Sequence, residues 1–243
     1  MPAHDEEAYL APAVRAVVAG LRDRGRPFEV VVVENGSTDA TAAVARDLAG
    51  ELAEVRVLSL SHADYGGALR EGFLSATGDL VGIFDVDYYD LAFLDAAVSL
   101  AAAPDGPTVV VATKRGAGAT DTRPLPRRVV TSVFSTILRV GFGLRVSDTH
   151  GMKVLRREPL VALAQACRYG TDLFDTELIL RAQRSGLRAV ELPVVVEELR
   201  PSRTSILRRI PRTLAGLARL RLALWRERRP ATRTPTDADR QGT

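Results

Sequence analysis

Leu80-Val81-Gly82-Ile83-Phe84-Asp85-Val86-Asp87 joins a short apolar run to two acids. The mostly apolar run follows the turn residues Gly78-Asp79 and has no polar break, the pattern of a strand buried on both faces. It stops on two carboxylates separated by one residue. In extended geometry Asp85 and Asp87 project to the same side, at the carboxyl end of the strand. Similar strand patterns occur at residues 28–33, 55–60 and 108–112, and helical patterns at 7–22, 38–52, 67–77 and 91–103 lie between or beside them. Strands alternating with helices of this length predict an α/β chain with a doubly wound, mainly parallel sheet flanked by helices. Ligands of such sheets sit at the carboxyl ends of the strands, where the two aspartates lie.

With 243 residues, 46% of them hydrophobic, the chain can bury a sizeable core. No stretch approaches the roughly 18–20 consecutive apolar residues that span a bilayer. The first ten residues are acidic where an export signal is basic and then apolar, so a cytoplasmic location is expected. Cys167 is the only cysteine, which excludes an internal disulfide and a cysteine-based zinc cluster. The net charge is only +3, but residues 200–229 hold ten arginines against the single acid Glu227. Those arginines follow an apolar-striped helix with no aromatic stacking platform, so a nucleic-acid partner is not expected.

Two segments are amphipathic. Residues 126–144 carry Val129, Val130, Val133, Phe134, Ile137, Val140 and Leu144 on one face, with Arg128 and Arg139 off it. Residues 206–225 gather Ile206, Ile210, Leu214, Leu217, Leu220 and Leu224 opposite Arg208, Arg212, Arg219 and Arg226. Pro211 is expected to start or kink the second helix. Packing on the main domain and docking on a membrane surface both fit these faces. The expected organisation is a main domain over residues 1–205, a basic amphipathic helix over 206–229 and a disordered tail over 230–243.

Two carboxylates at one strand end can share a hard cation, Mg2+ or Mn2+, with positions left for water and diphosphate oxygens. In Glu34-Asn35-Gly36-Ser37-Thr38-Asp39 a strand ends in polar acceptors, a glycine turn and a helix start; a helix cap and a nucleotide cradle both fit it. Two further motifs are Pro2-Ala3-His4-Asp5-Glu6-Glu7 and Tyr65-Gly66-Gly67-Ala68-Leu69.

In order and spacing these four motifs resemble those of the inverting family 2 glycosyltransferases of GT-A fold. Lys114-Arg115, Arg128, Ser132, Asp148-Thr149-His150-Gly151-Met152-Lys153, Phe174-Asp175-Thr176-Glu177-Leu178, Glu191-Leu192-Pro193-Val194 and Arg200-Pro201-Ser202-Arg203-Thr204-Ser205 extend the resemblance to its dolichol- and polyprenyl-phosphate mannosyltransferase-like branch. The resemblance implies that Pro2, Ala3, Asp5, Glu6, Glu34, Gly36 and Asp85 hold the nucleotide and that Asp85 and Asp87 hold the metal. It makes Lys114, Arg128 and Arg203 candidates for donor or acceptor phosphates, and it sets Asp148 facing the acceptor. The catalytic candidates are therefore Asp87, Asp148, Arg128 and Arg203. The implied partners are a nucleotide-sugar donor, with GDP-mannose favoured over UDP-glucose, and a lipid-phosphate acceptor, at the inner face of the cell membrane.

The chain departs from the family pattern in four places. Glu34-Asn35 replaces a pair of aspartates, His4-Asp5 replaces Tyr-Asn, and Tyr89 stands where a metal-supporting side chain is common, so Asp90 or water is expected to fill in. A central apolar strand also precedes the Pro-Ala motif in the family. Its absence from residues 1–243 predicts that the strands at 30–33 and 81–84 have no partner between them, and that translation starts further upstream.

Overall fold

The computed structural model describes residues 1–113, 120–121, 125–147, 149–168, 173–196 and 206–227. β1 is two residues, Pro2–Ala3. Leu10, Val14, Val17 and Val18 recur at helical spacing and form the buried face of α1 (Leu10–Arg22). The valine run becomes β2 (Val30–Asn35), followed by α2 (Thr41–Glu51) and β3 (Val55–Leu60). The helix expected from residue 38 begins later because Asp39 turns back and accepts the Thr41 N–H at 2.9 Å. α3 (Tyr65–Ser75) and α4 (Leu91–Ala102) start on the capping carboxylates of Asp64 and Asp90, and β4 (Leu80–Ile83) lies between them.

After β5 (Val109–Thr113) come β6 (Thr120–Asp121), α5 (Leu125–Phe142) and β7 (Lys153–Arg156). A 3-10 turn (Glu158–Leu160), α6 (Val161–Ala166), α7 (Phe174–Arg184), β8 (Ala189–Pro193), β9 (Val195–Val196) and α8 (Ile206–Glu227) complete the described chain. α8 begins five residues before Pro211 and runs through it, so that proline does not start the helix.

Among the described residues the strands form a parallel sheet of order β1-β2-β3, a mixed sheet of order β4-β7-β5-β8 and the small pair β6-β9. β7 is antiparallel to both β4 and β5. It leaves Met152, whose carbonyl meets Ala112 N–H near the carboxyl end of β5, and can only run back down the sheet. The lane between β2 and β4 is not wholly unpaired, contrary to the sequence expectation. Pro2 and Ala3 pair with Val33 and Glu34 at its upper end.

Two cores follow from this layout. One joins α1, α2 and α4 to β2, β3 and the far faces of β5 and β7. The other joins α3, α6 and α7 to Leu138 of α5 and to Leu217, Leu220 and Leu224 of α8. That face of α8 therefore packs inward, and Arg181 of α7 pins the helix end by bridging Glu177 and Glu227. Leu214, Leu222 and Trp225 face outward, as do Val133 and Val140 of α5, the last 80% exposed.

Candidate active site

Loops at the carboxyl ends of β1 and β2 are laced together. Asp5 accepts the Thr38 N–H at 2.8 Å, Glu6 N–H donates to Thr41 Oγ1 at 2.7 Å, and Ala40 N–H donates to Glu7 at 2.9 Å. His4 Nδ1 lies 2.8 Å from the Asn35 carbonyl. Asp5 reaches Thr38 from a left-handed backbone, φ 53°, a region where Asp is tolerated better than bulky residues. The hydrogen bond from Thr38 N–H holds its carboxyl below the usual carboxylate range. Burial raises the Asp39 carboxyl, but hydrogen bonds from Thr41 and from Glu7 N–H outweigh it and hold the group low.

Glu34 is buried and accepts the Ser37 N–H at 2.6 Å, closing the turn through Gly36. Gly36 has φ +61°, and a Cβ there would lie 2.6 Å from the His62 backbone. The glycine is required twice over, by conformation and by close approach. Asn35 is also buried, and its side-chain oxygen accepts the Asp64 N–H at 2.7 Å. The amide that replaces an aspartate thus ties the β2 loop to the start of α3. Pro2 and Ala3 are buried within β1, so their contribution is to place the loop that begins at His4.

At the end of β4 the backbone does not continue extended. Asp85 and Tyr88 close a turn by reciprocal backbone hydrogen bonds of 3.2 and 3.3 Å, which replaces the extended Asp85-Val86-Asp87 geometry read from the sequence. Asp85 accepts the Tyr65 hydroxyl at 2.9 Å and Asp87 is half-buried beside it. Behind them lies an ion pair, Lys153 Nζ to Asp175 Oδ2 at 2.9 Å, with both side chains 2% exposed. Burial pushes the Asp85 carboxyl above its ordinary value; Tyr65 and Lys153 pull it down, while Asp87 and Asp175 push it further up.

The residues fit a hard divalent cation. A desolvated carboxylate beside a second one gains from a cation more than a solvated pair would. Among the described residues no third His, Cys, Asp or Glu joins them in a metal-holding group. Oxygens of a bound diphosphate and water would therefore complete the shell. Asp90 does not fill in as expected, because its Oδ1 accepts Ala92 and Phe93 N–H groups as the cap of α4.

Arg128 is exposed on the first turns of α5. Lys114, Asp148 and Arg203 lie outside the described residues, but both neighbours of position 148 are anchored. Ser147 Oγ donates to Glu191 at 2.7 Å, and Thr149 Oγ1 lies 2.8 Å from Thr176 Oγ1. Sequence reasoning did not assign Tyr65, Lys153 or Asp175 to the site. The available signal was that Lys153 is one of only two lysines in a chain with 33 basic residues, inside a motif already singled out.

A Rossmann-like α/β fold with laced loops and a carboxylate pair at the strand ends defines the GT-A class of nucleotide-sugar transferases. The glycosyl transferase family 2 model matches residues 1–163, and the chain belongs to that family. It is 35% identical to an uncharacterized glycosyltransferase of Mycobacterium tuberculosis over 80% of this chain and 82% of that one. It is 29% identical to the glycosyltransferase AglD of Haloferax volcanii over 86% of this chain, and spans 34% of that longer protein. A dolichyl-phosphate beta-glucosyltransferase of Trichomonas vaginalis is 25% identical over 85% of this chain and 65% of its own. Among solved structures, glucosyl-3-phosphoglycerate synthase of Mycobacterium tuberculosis, crystallised with Mn2+, UDP and glucosyl-3-phosphoglycerate, superposes with a TM-score of 0.65. At 23% identity it covers 91% of this chain and 77% of that one, and it establishes the likeness of fold.

Proposed function

We propose that this family 2 glycosyltransferase moves a hexose, with inversion, from a nucleotide diphosphate to a polyprenyl phosphate at a membrane surface. The observation that carries the reading is the desolvated Asp85 beside Asp87 at the end of β4, next to the laced loops at residues 4–7 and 34–41. Asp5, Glu6, Glu34 and the turn at Gly36 shape the nucleotide end, with Asp85 and Asp87 holding Mg2+ or Mn2+. When bound, the cation neutralises charge on the departing diphosphate. Lys114, Arg128 and Arg203 serve the donor and acceptor phosphates as charge-assisted donors. A phosphate nucleophile is largely ionised near neutral pH, its second pKa being about 6. Asp148 then orients the acceptor instead of taking a proton, and positioning supplies most of the catalysis.

The lipid acceptor is supported by the motifs of the polyprenyl-phosphate branch and by the outward side of α8. Leu214, Leu222 and Trp225 are exposed there, and Arg219, Arg221 and Arg226 are exposed on the same helix. Arg221 also stacks over Phe142 of α5 at 5.8 Å, joining the two amphipathic helices. Apolar side chains interleaved with arginines suit the interface of an anionic bilayer. No described helix is long and apolar enough to cross a membrane.

GDP-mannose is the donor favoured by the branch motifs. A second reading, UDP-glucose with a small phosphorylated hydroxyl acceptor, is favoured by the solved neighbour crystallised with UDP and glucosyl-3-phosphoglycerate; Asp148 would then be the base. A thermal-shift and transfer assay with GDP-mannose and UDP-glucose, each with and without Mn2+, tests the proposal. Polyprenyl phosphate in anionic vesicles or free phosphoglycerate serves as the acceptor. Metal-dependent stabilisation, transfer to the lipid, and vesicle co-sedimentation lost at high salt are expected. Transfer only to phosphoglycerate selects the second reading, and no metal-dependent stabilisation by either donor defeats both.

A further inference from the structure

The Tyr65 hydroxyl reaches Asp85 Oδ1 at 2.9 Å from the first residue of α3, and the start of that helix is fixed from two sides. On the inner side Gly66, Ala68, Leu69 and Phe73 are buried. Ahead of the helix, Asp64 accepts the Gly67 N–H at 3.1 Å, and a Cβ on Gly67 would lie 2.8 Å from the capping carboxylate. Glycine at 67 therefore lets the cap fold back on the first turn. Asp64 is in turn tied across the site. Its N–H donates to Asn35 Oδ1 at 2.7 Å, and the Asn35 carbonyl meets His4 Nδ1 at 2.8 Å. The backbone at His62 and Ala63 also presses on the Gly36 turn. A continuous run of contacts leads from the β1 and β2 loops, through the first turn of α3, to Asp85.

A hydrogen bond to one oxygen of a carboxylate fixes the rotation of the group and so decides where its other oxygen lies. Tyrosine does this without adding charge. An ammonium or guanidinium in the same place would hold Asp85 as firmly, but it would repel a divalent cation bound a few ångströms away. The buried Lys153 is paired with Asp175 at 2.9 Å, which leaves the two negative charges of Asp85 and Asp87 matched in number to one divalent cation.

We propose that Tyr65 is a positioning residue, whose hydroxyl sets the angle of the Asp85 carboxylate for Mg2+ or Mn2+ and is itself held in place through Asp64 and Asn35. The inference rests on the reading of Asp85 and Asp87 as the metal carboxylates, and it explains why the helix after β3 must start on an aromatic hydroxyl tied to the β2 loop. Tyr65 acts on the metal through Asp85, so its loss weakens cation binding while the fold stands.

Tyr65→Phe removes one oxygen and keeps the ring. The parent, Tyr65→Phe and Asp87→Asn are each titrated with Mn2+ in the presence of GDP and, separately, of UDP, with free Mn2+ read by electron paramagnetic resonance. Melting temperature is recorded without metal. Tyr65→Phe is expected to bind Mn2+ about 10-fold or more weakly than the parent, with a metal-free Tm no more than about 4 °C lower. A merely structural role for the hydroxyl would move Tm and leave the Mn2+ affinity of the folded protein where it was. Mn2+ affinity within about twofold of the parent in Tyr65→Phe, alongside a loss in Asp87→Asn, would overturn the positioning role and leave the metal pair standing. Undiminished Mn2+ binding in Asp87→Asn would overturn the pair, and the role of Tyr65 with it. Neither readout requires sugar transfer.

Discussion

The carboxylates on the two sides of the site are held in opposite ways. In the β1 and β2 loops Asp5 and Asp39 accept hydrogen bonds from Thr38 and Thr41, and their carboxyls lie below the usual range. At the end of β4, Asp85 is desolvated, crowded by Asp87 and Asp175, and lies above it. The first group is satisfied by the fold itself and shapes the loops whether or not a ligand is present. The second sits where its surroundings disfavour its charge, a condition that function explains better than stability does. Shape is supplied on one side and unbalanced charge on the other.

The largest expected effect breaks this division at the level of chemistry. Asp87→Asn should reduce turnover about 10³-fold, ~4 kcal/mol in the barrier, while changing Tm little. Asp39→Asn should do the reverse, lowering Tm by about 2–4 °C because one accepting oxygen becomes an NH2 set against the N–H of Glu7 or of Thr41, and leaving turnover within about threefold. Steady-state kinetics and calorimetry on the two variants check the contrast, which fails if Asp39→Asn loses activity as Asp87→Asn does.

The next effect concerns the charge behind the pair. Lys153→Met leaves Asp175 buried without its partner and should cost about 3–5 kcal/mol of stability, read by urea unfolding. Asp175→Leu added to it should recover most of that loss. A single variant that loses under about 1 kcal/mol would mean that the buried Lys153–Asp175 pair does not hold this part of the fold together.

Local pattern carried the strands and helices of the first half, because β2, β3 and β4 are short apolar runs between punctuating turns. The 55–60 strand falls where the spacing puts it. β7 was not legible: Lys153-Val154-Leu155-Arg156 is apolar only at its centre, and its antiparallel seat between β4 and β5 comes from pairing with residues about 40 to 75 positions away. The site divides similarly. Asp85 and Asp87 were readable from the strand before them, but the turn at Tyr88 that ends the extended geometry was not. Tyr65, Lys153 and Asp175 meet Asp85 only through packing of α3, β7 and α7, which no periodicity encodes. On α8 the buried stripe of Leu217, Leu220 and Leu224 followed from helical spacing, whereas the outward turn of Leu214 depends on where α7 and α5 lie.

The smallest effect sharpens the comparison most, because it isolates the sign of one interaction. A carboxyl whose folded pKa is raised binds more protons in the folded than in the unfolded state, so its contribution to stability is full below the unfolded value and is lost as pH rises through the folded one. For Asp85 the loss begins near the ordinary value of 3.8 and grows as pH rises toward the raised folded value. Asp85→Asn removes the titrating group but keeps an oxygen for the Tyr65 hydroxyl. The variant should therefore melt about 2–4 °C above the parent at pH 7, equivalent to ~1 kcal/mol, and the gain should shrink toward zero as pH falls below about 4. Asp5 and Asp39 act with the opposite sign, adding stability above their unfolded values and losing it on acidification, so both proteins should weaken in acid along parallel lines once the Asp85 difference is gone. Melting curves from pH 3 to 8 in the absence of divalent metal read this directly. A variant less stable than the parent at pH 7 would place Asp85 with Asp5 and Asp39 as a carboxylate the fold itself stabilises, and the contrast between the two sides of the site would collapse.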